Sequence, residues 1–168
     1  YLDKFSKKLC GKYRKGHFEG VLNVVNRFLE IIKPKYIFMG KKDFQQLYLI
    51  KKHIYMRKIN TKLIACNTIR EKNGIACSTR NFKLKKKQLL IASKIFRHIK
   101  RLKRKIKIRF SFFNLKRLKK EMINFGANRV DYIEIYNVNN FKKANKKKEN
   151  FNIFIAYYLD NTRLIDNI

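Results

Sequence analysis

Residues 36–47, Tyr36-Ile37-Phe38-Met39-Gly40-Lys41-Lys42-Asp43-Phe44-Gln45-Gln46-Leu47, join an apolar segment, a glycine and the start of a helical pattern. The apolar residues predict a short buried strand that ends at Gly40, and Asp43 is a suitable N-cap for the helix that follows. The apolar run from Leu63 to Cys66 predicts a second strand. Strand, helix and strand at this spacing favour a right-handed parallel unit of an α/β sheet.

Apolar residues recur at helical spacing both before this segment and after its glycine. Residues 20–32 predict a helix, and Pro34 blocks its continuation. We expect the buried face of that helix to consist of its recurring apolar positions, which are Val21, Val24, Val25, Phe28, Leu29 and Ile32. The helix that starts near Asp43 has its own apolar stripe, formed by Phe44, Leu47, Tyr48, the stem of Lys51, Ile54 and Tyr55.

The second half of the chain has a different predicted order of helices and strands. Residues 71–81 are polar and predict a loop. Two helices are expected at 88–103, with Leu89, Ala92, Ile95, Phe96, Ile99 and Leu102 inward, and at 115–125, where Gly126 takes the C′ position. Strands are expected at 130–135 and 151–159, separated by a solvated loop at 140–150. Helices followed by returning strands indicate a separate α+β domain, and we place the boundary near Phe82.

The formal net charge is +32 over 168 residues, which raises the question of an anionic partner such as nucleic acid. Lys, Asn, Ile, Phe and Tyr are abundant, whereas Pro, Trp and Gly are scarce. An AT-biased genome gives this balance without any polyanionic partner, and we favour that explanation about two to one. The basic residues are spread along the chain, and it shows no nucleic-acid recognition motif.

The cysteines and the apolar runs limit the cellular setting. Cys10, Cys66 and Cys77 form no C-x-x-C pair, and no His stands at metal-ligand spacing from them, so we expect reduced thiols, no metal site and a cytoplasmic location. No apolar run reaches the ~18–20 residues of a membrane span. No signal peptide is visible, and because the first residue is Tyr1 we expect the true N-terminus to lie upstream.

Three clusters of residues could carry chemistry. Residues 14–20 place His17 between two glycines before a helix. This pattern is compatible with an anion-binding turn or with an ordinary loop. Residues 40–46 lie between a strand and a helix, at the edge where open α/β sheets bind ligands. Residues 73–81 combine small residues, two hydroxyls and Arg80, a set suited to a polyphosphate or to a polar linker.

Together these clusters resemble the pantothenate synthetase family of pantoate–β-alanine ligases. Residues 14–21 read R-K-G-H-F-E-G-V against the family's R-P-G-H-F-x-G-V, and residues 40–47 read G-K-K-D-F-Q-Q-L against G-E-K-D-[FY]-Q-Q-L. Residues 67–81 read N-T-I-R-E-K-N-G-I-A-C-S-T-R-N against P-T-x-R-E-x-D-G-L-A-x-S-S-R-N. Residues 162–167 match T-R-L-I-D-N, and residues 131–134 resemble its D-Y-x-E strand. Four motifs in register along the whole chain make the resemblance specific.

The resemblance implies an α/β fold class. Residues 1–81 would be the C-terminal half of a Rossmann-like nucleotidyltransferase domain, and residues 82–168 a small, lid-like α+β domain. It implies an ATP- and Mg²⁺-dependent condensation of pantoate with β-alanine, through a pantoyl adenylate, that releases AMP and pyrophosphate. It also implies a homodimer, with neither a specific nucleic acid nor a membrane as partner.

The resemblance further implies roles for individual residues. Gly40 and Asp43 would meet the ATP ribose and its surroundings, Lys42 would neutralise phosphate charge with Lys41 beside it, and Gln46 would hydrogen-bond pantoate. The remaining assignments complete the expected site: Ile69 against adenine; Cys77, Ser78, Thr79 and Arg80 in a second phosphate loop; His17 near the substrate opening. Lys42, Ser78 and Arg80 are the expected catalytic residues.

The sequence departs from the family pattern at several places. The family's first nucleotide motif, P-T-M-G-x-L-H-x-G-H, is not in this sequence, so we expect the chain to hold only half of the active site. Thr79 replaces a Ser but keeps the hydroxyl. The other departures replace the family's residue with one of a different chemical type, and they are Lys15, Lys41, Asn67 and Asn73. Two alternatives stay open: a basic nucleic-acid-binding protein, suggested by residues 97–109, and an eroded, inactive remnant.

Overall fold

A computed structural model describes residues 4–108, 114–144 and 150–168. The chain divides into two compact units, Tyr1–Thr68 and Ile69–Ile168, and each has its own hydrophobic core. The sequence suggested a boundary after residue 81. The difference is the segment 69–81, which belongs to the second unit because Ile75 joins that unit's core. The description of the two parts as a nucleotide-binding domain and a lid stays a prediction.

The N-terminal unit contains the predicted β-α-β arrangement. Its elements, after a 3-10 turn at Lys4–Lys7, are α1 (Cys10–Tyr13), α2 (His17–Ile32), β1 (Tyr36–Gly40), α3 (Phe44–Met56) and β2 (Lys62–Cys66). Strands β1 and β2 are parallel, with Tyr36 opposite Lys62 and Gly40 opposite Cys66. The parallel pair inferred from the spacing of the apolar runs is therefore confirmed.

Helix α2 begins three residues earlier than expected and buries a narrower face. Gly16, in a left-handed conformation with φ 73°, precedes its first residue, and Lys33 caps its end through a backbone hydrogen bond to Leu29. Leu22 and Leu29 pack against Ile50 and Ile54 of α3. The predicted burial of Val24, Phe28 and Ile32 is wrong, because these apolar side chains lie outside the stripe that faces α3 and are exposed.

Strand β1 is also less buried than its apolar sequence suggested. Side chains along it alternate between exposed and half-buried positions, and Phe38 is 68% exposed. Within the described residues the sheet of this unit has two strands, and Ile37 and Met39 are the β1 side chains that pack against the α2–α3 core. On α3, Tyr55 is likewise exposed rather than part of the buried stripe.

The C-terminal unit is the predicted α+β domain. Its elements are a 3-10 turn at Thr79–Lys83, α4 (Lys86–Ile108), α5 (Leu115–Asn124), β3 (Arg129–Asn137), β4 (Phe151–Leu159) and β5 (Thr162–Asn167). The strands form an antiparallel sheet in the order β3-β4-β5. Strand β4 has the predicted bounds, whereas β5 was not recognised as a strand. Of the predicted loop 140–150, residues 145–149 lie outside the described residues.

A single apolar cluster joins the helices of this unit to its sheet. Ala92, Ile95 and Ile99 of α4 pack in one core with Ile153 and Ile155 of β4. The Asn114 side chain caps α5 by accepting hydrogen bonds from the backbone amides of Lys116 and Arg117. Gly126, with a φ of 112°, follows the end of the helix in the predicted C′ position. No helix in the described part of the chain has the length and apolar character needed to cross a membrane.

Gly74 gives the first testable prediction, because two constraints meet at it. Its φ is 90°, and a Cβ built there would collide with the ring of Phe96. Left-handed backbone strain and overpacking each cost about 1–3 kcal/mol. We expect Gly74→Ala to lower the free energy of unfolding by about 2–4 kcal/mol, measured by urea denaturation. Gly20→Ala is the control, because nothing lies within 4 Å of a Cβ in that helix; a similar loss there would contradict the explanation.

His53 gives the second prediction. Its Nε2 donates to Asn26 Oδ1 on α2 (2.7 Å), and the Asn26 amide donates to Glu30 (2.6 Å). Burial first, and then the charge of Arg57, lower the pKa of His53 below 6.5. The unfolded chain therefore binds a proton more readily, so the stabilising contribution is present above pH 6.5 and is lost as the pH falls through the lowered pKa.

We expect the free energy of unfolding to decrease between pH 7.5 and pH 5.5, and His53→Gln to make that decrease smaller. Urea denaturation at the two pH values measures it. His98→Gln is the control, because His98 lies in the other unit and pairs with Glu121. An unchanged pH dependence in the His53→Gln variant would show that His53 is not responsible.

Candidate functional site

The predicted site residues of the N-terminal unit lie together at the carboxyl edge of its parallel sheet. Gly40 ends β1, and a 3-10 turn, Lys41–Asp43, leads into α3. Lys41 Nζ donates to Oδ1 of Asn67, just after β2, at 2.7 Å. Lys42 Nζ lies 3.8 Å from the Asp43 carboxylate, and the Lys42 side chain is mostly buried. Two ammonium groups and one carboxylate therefore meet where parallel sheets bind ligands.

Gly40 is not required by the described structure around it. Its backbone is extended, with φ −71° and ψ 134°, a conformation open to every L-residue. A Cβ placed there would have no neighbour within 4 Å in the described part of the chain. Neither the backbone nor the packing of the described residues explains a glycine at this position. Open space beside the main chain at a sheet edge is what a closely approaching ligand needs.

The two glutamines that follow have different surroundings. Gln45 is buried, and its side chain accepts from the Cys10 backbone amide (3.1 Å) and donates to the carbonyls of Phe5 and Lys8 (2.8 Å each). Gln45 thus ties the first residues of the unit to α3. Gln46, the residue assigned to substrate, is half-buried on the first turn of the same helix. The sequence analysis missed the structural role of Gln45, since a Q-Q pair does not show which side chain faces inward.

The other predicted site residues lie in the C-terminal unit, on a compact loop. Residues Arg70 and Ala76 form an antiparallel bridge, closed by backbone hydrogen bonds from Cys77 to Ile69 and between Glu71 and Ile75. The loop turns at Gly74. The residues at its two ends, Ile69 and Cys77, are exposed, and Ile69 is 76% exposed.

Ser78 and Arg80 are positioned by one local hydrogen bond between them and one long-range hydrogen bond to the sheet. The Ser78 hydroxyl accepts from the Arg80 backbone amide at 3.2 Å and caps the 3-10 turn Thr79–Lys83. One guanidinium nitrogen of Arg80 donates to the carbonyl of Arg163 on β5 at 3.0 Å. Thr79 is exposed beside them. This part of the predicted site is thus a preorganised turn whose hydroxyls and guanidinium lie on neighbouring residues.

A buried amide supports that turn. Asn81 donates to the Glu71 carboxylate (2.6 Å) and to the Ala76 carbonyl (3.1 Å). Both partners are acceptors, so the orientation of the amide is fixed, and its buried Oδ1 has no hydrogen-bond partner among the residues that the structure describes. Asn81 therefore holds the two ends of the loop together at some cost in hydrogen bonding.

The pair formed by Arg70 and Asp166 was missed by the sequence analysis. Arg70 donates in bidentate fashion to Asp166 of β5, at 2.7 and 2.9 Å, and its guanidinium lies 4.4 Å from the ring centroid of Phe96. The pair fixes the loop to the sheet. Its two members lie in separate family motifs, at residues 67–81 and 162–167. The opposite charges of Arg70 and Asp166 in these two motifs were the sequence signal that could have predicted the pair.

His17 lies apart from the sheet edge. It is the first residue of α2, and its Nε2 is 2.7 Å from an Arg14 guanidinium nitrogen, which must donate. A cavity of about 960 Å³ lies beside it, and none of residues 40–46 lines that cavity. Its lining is rich in cationic and imidazole groups, including Lys7, Lys12, Arg14, Lys15, His53 and Arg57.

The structure thus brings Gly40, Lys41, Lys42, Asp43 and Gln46 together in one unit. It brings a second set together in the other unit, namely Ile69, Cys77, Ser78, Thr79 and Arg80. Among the described residues no group of three or more His, Cys, Asp or Glu side chains could hold a metal ion. The first set offers fixed cations and open backbone, the second offers hydroxyls and a guanidinium, and each by itself suits recognition of an anionic group.

Comparison with known proteins places the chain in one enzyme family. A family model described as pantoate-β-alanine ligase matches residues 1–168. The pantothenate synthetase of Flavobacterium psychrophilum is 34% identical over 169 residues, covering 99% of this chain and 60% of that protein. The pantothenate synthetase of Campylobacter hominis is 38% identical over 162 residues, covering 95% of this chain and 58% of that protein.

A solved structure gives the same result for the fold. The pantoate-β-alanine ligase of Francisella tularensis, in complex with βγ-ATP and β-alanine, superposes with a TM-score of 0.77 and 36% identity, covering 100% of this chain and 56% of that one. The expected α/β fold class is confirmed. The chain spans little more than half the length of the relatives it matches. Because the family model covers the whole sequence, this chain belongs to the pantoate–β-alanine ligase family.

Proposed function

We propose that this chain is the C-terminal part of an ATP-dependent ligase that joins pantoate to β-alanine. The observation that carries the proposal is the sheet edge after β1. There Lys42 and Lys41 lie beside a Gly40 whose missing side chain is explained by nothing in the described structure. The Francisella relative was solved with an ATP compound and β-alanine, which supports the same substrate classes here.

The proposed reaction has two steps. A pantoate carboxylate oxygen attacks the α-phosphorus of ATP, a P–O bond to the β-phosphate breaks, and pyrophosphate leaves. The β-alanine amine then attacks the acyl carbon of pantoyl adenylate, forms the amide, loses a proton and releases AMP. Both steps join two bound reactants, so catalysis would come mainly from positioning and from neutralising phosphate charge.

Within the N-terminal unit, the residues would divide this work by their chemistry. Lys42 would face the phosphate charge that grows as pyrophosphate leaves, and Lys41, held by Asn67, would add a second cation at the same edge. Gly40 and Asp43 would meet the ribose, since one leaves the backbone open and the other supplies a carboxylate acceptor. Gln46, one turn into α3, would donate its amide to pantoate.

The loop of the C-terminal unit would supply the second set of contacts. Ser78, Thr79 and Arg80 are adjacent donors, a set that suits polyphosphate oxygens, and the exposed Ile69 would lie against adenine. Cys77 would contribute its backbone. His17 of the N-terminal unit, which lines the cavity apart from the sheet edge, would lie near the substrate opening. The ligase would work in the cytoplasm as a homodimer; sedimentation of the full-length enzyme checks the second point.

Magnesium is part of the proposed reaction, because it commonly accompanies ATP through a few carboxylates and the phosphates themselves. The described residues offer the Asp43 carboxylate beside Lys42 but no multi-ligand cluster, so they do not form a metal site by themselves. We therefore assign no residue to the metal.

The test is pantoate-dependent exchange between ATP and labelled pyrophosphate. The 168-residue chain is assayed together with the N-terminal segment of a relative that this chain does not cover. We expect exchange in the mixture and none with either part alone. Lys42→Ala should lower kcat/KM by about 10²–10³-fold, because one charge-stabilising donor contributes about 3–4 kcal/mol to the transition state.

Lys51→Ala is the matched control, since this exposed lysine lies on α3 away from the sheet edge, and it should leave exchange unchanged. Full activity of the Lys42→Ala variant would remove the role given to that residue. A mixture of folded parts that shows no exchange would instead favour the inactive-remnant alternative.

A further inference from the structure

Helix α4 presents a continuous cationic surface. Its sequence contains no Asp or Glu, and most of its Lys and Arg side chains are exposed. We define the α4 cation face as the exposed basic residues of its later turns, which are Lys94, Arg97, Lys100, Arg101, Arg104, Lys105 and Lys107. At 100° per residue these seven positions fall within one side of the helix, opposite the buried stripe of Ala92, Ile95 and Ile99.

This surface carries an electrostatic cost in the free protein. Residues three and four apart are neighbours on a helix, and like charges there destabilise it by about 0.2–0.5 kcal/mol per pair. Arg97–Lys100, Lys100–Arg104 and Arg104–Lys107 are such pairs. Lys103, beside the face, shows the crowding: burial and the charge of Lys107 lower its pKa to about 8, and its Nζ donates to Asn152 at 2.7 Å. A bound polyanion would relieve the repulsion.

Among the described residues, the cleft on the flank of the face is lined by more cationic than acidic side chains. A cleft of about 520 Å³ lies between α4 and α5, and it is lined on the α4 side by Arg101 and Lys105. The acidic residue in its lining is Glu121. Both of its carboxylate oxygens are engaged, one 2.9 Å from His98 and the other 3.0 Å from Arg117. The positive potential of the face therefore continues into the cleft.

The spacing of the charges matches a phosphate chain. Lys94 and Lys107 are thirteen residues apart, which is about 20 Å along an α-helix. One strand of a nucleic-acid duplex carries a phosphate every ~3.4 Å, so the face spans about six phosphates. We propose that the α4 cation face binds the phosphate backbone of a nucleic acid, without reading its base sequence.

A phosphate backbone fits the face better than a lipid surface does. Helices that lie on membranes need an apolar stripe beside their cations. The exposed apolar residues of α4, Leu90 and Ile108, lie at opposite ends of the helix and are not interleaved with the charges. Contacts of Lys and Arg with phosphates position a protein on nucleic acid but carry no sequence information. The proposal is independent of the ligase activity, because the face contains none of its assigned residues.

The test compares two variants of the full chain with the same net charge. The face variant carries Arg97→Gln, Lys100→Gln and Arg104→Gln; the control variant carries Lys51→Gln, Lys58→Gln and Lys62→Gln, which are exposed residues of the other unit. Binding to a labelled, mixed-sequence 20-base-pair DNA duplex is followed by fluorescence anisotropy over a series of salt concentrations. An unrelated duplex of the same length should bind equally well.

We expect the face variant to bind about tenfold or more weakly, and the slope of log Kobs against log salt to become shallower by about 2–3. The control variant should change neither quantity by more than a small fraction of that. Equal losses in the two variants would overturn the proposal, since they would reflect total charge alone. Binding to phosphatidylserine vesicles but not to duplex would also overturn it.

Two further variants keep the test decisive if the triple substitution disturbs folding. Arg97→Lys with Arg104→Lys retains both charges and should bind as the unmodified chain does. Arg104→Gln alone should make the salt slope shallower by about 0.9. Retained charge with lost binding, or an unchanged slope for Arg104→Gln, would count against the face as the binding surface.

Discussion

The position of the loop at residues 69–81 depends on the bidentate ion pair between Arg70 and Asp166. It joins residues 96 positions apart, and the guanidinium also stacks on Phe96 of α4. Loop, helix and last strand thus meet at one planar group. Lysine could not replace it, because an ammonium makes neither the paired hydrogen bonds nor the stacking. The turn that follows is then shaped by hydrogen bonds of Asn81 and Ser78 within the segment and by one from Arg80 to β5.

The N-terminal unit is organised differently, around local geometry. Gln45 fastens the first turns to α3, while the parallel pairing of β1 and β2 brings Lys41 to Asn67. These two residues are both departures from the family pattern, and they contact each other. The Asn67 carbonyl oxygen accepts a hydrogen bond from the Lys41 ammonium and so fixes the position of this additional charge. The two substitutions are therefore best understood as one change.

Local signals explain which parts of the fold were predictable. Gly40, Asp43 and Gly126 stand at the strand and helix boundaries that they predicted, although only Gly126, with a φ of 112°, has a backbone conformation that favours glycine. The burial of Val24 and Phe28 was predicted wrongly because periodicity shows that a helix is amphipathic but not which of several apolar rows meets a neighbour. Strand β5 mixes charged and apolar residues without alternation, so its pairing with β4 was visible only in three dimensions. The motifs located the candidate site residues, whereas the Arg70–Asp166 contact required the tertiary structure.

The exposed apolar side chains on and near β1 affect the tendency of this chain to associate, both in purified form and during synthesis. Tyr36 and Phe38, with Phe28 and Ile32 on α2, present large apolar side chains to water. Exposed strand surfaces of this kind favour association between copies and capture by chaperones that hold unfolded or incomplete proteins. Yield and dispersity of the isolated chain should therefore depend strongly on protein concentration, so biophysical work on it belongs in the low micromolar range, with light scattering run alongside.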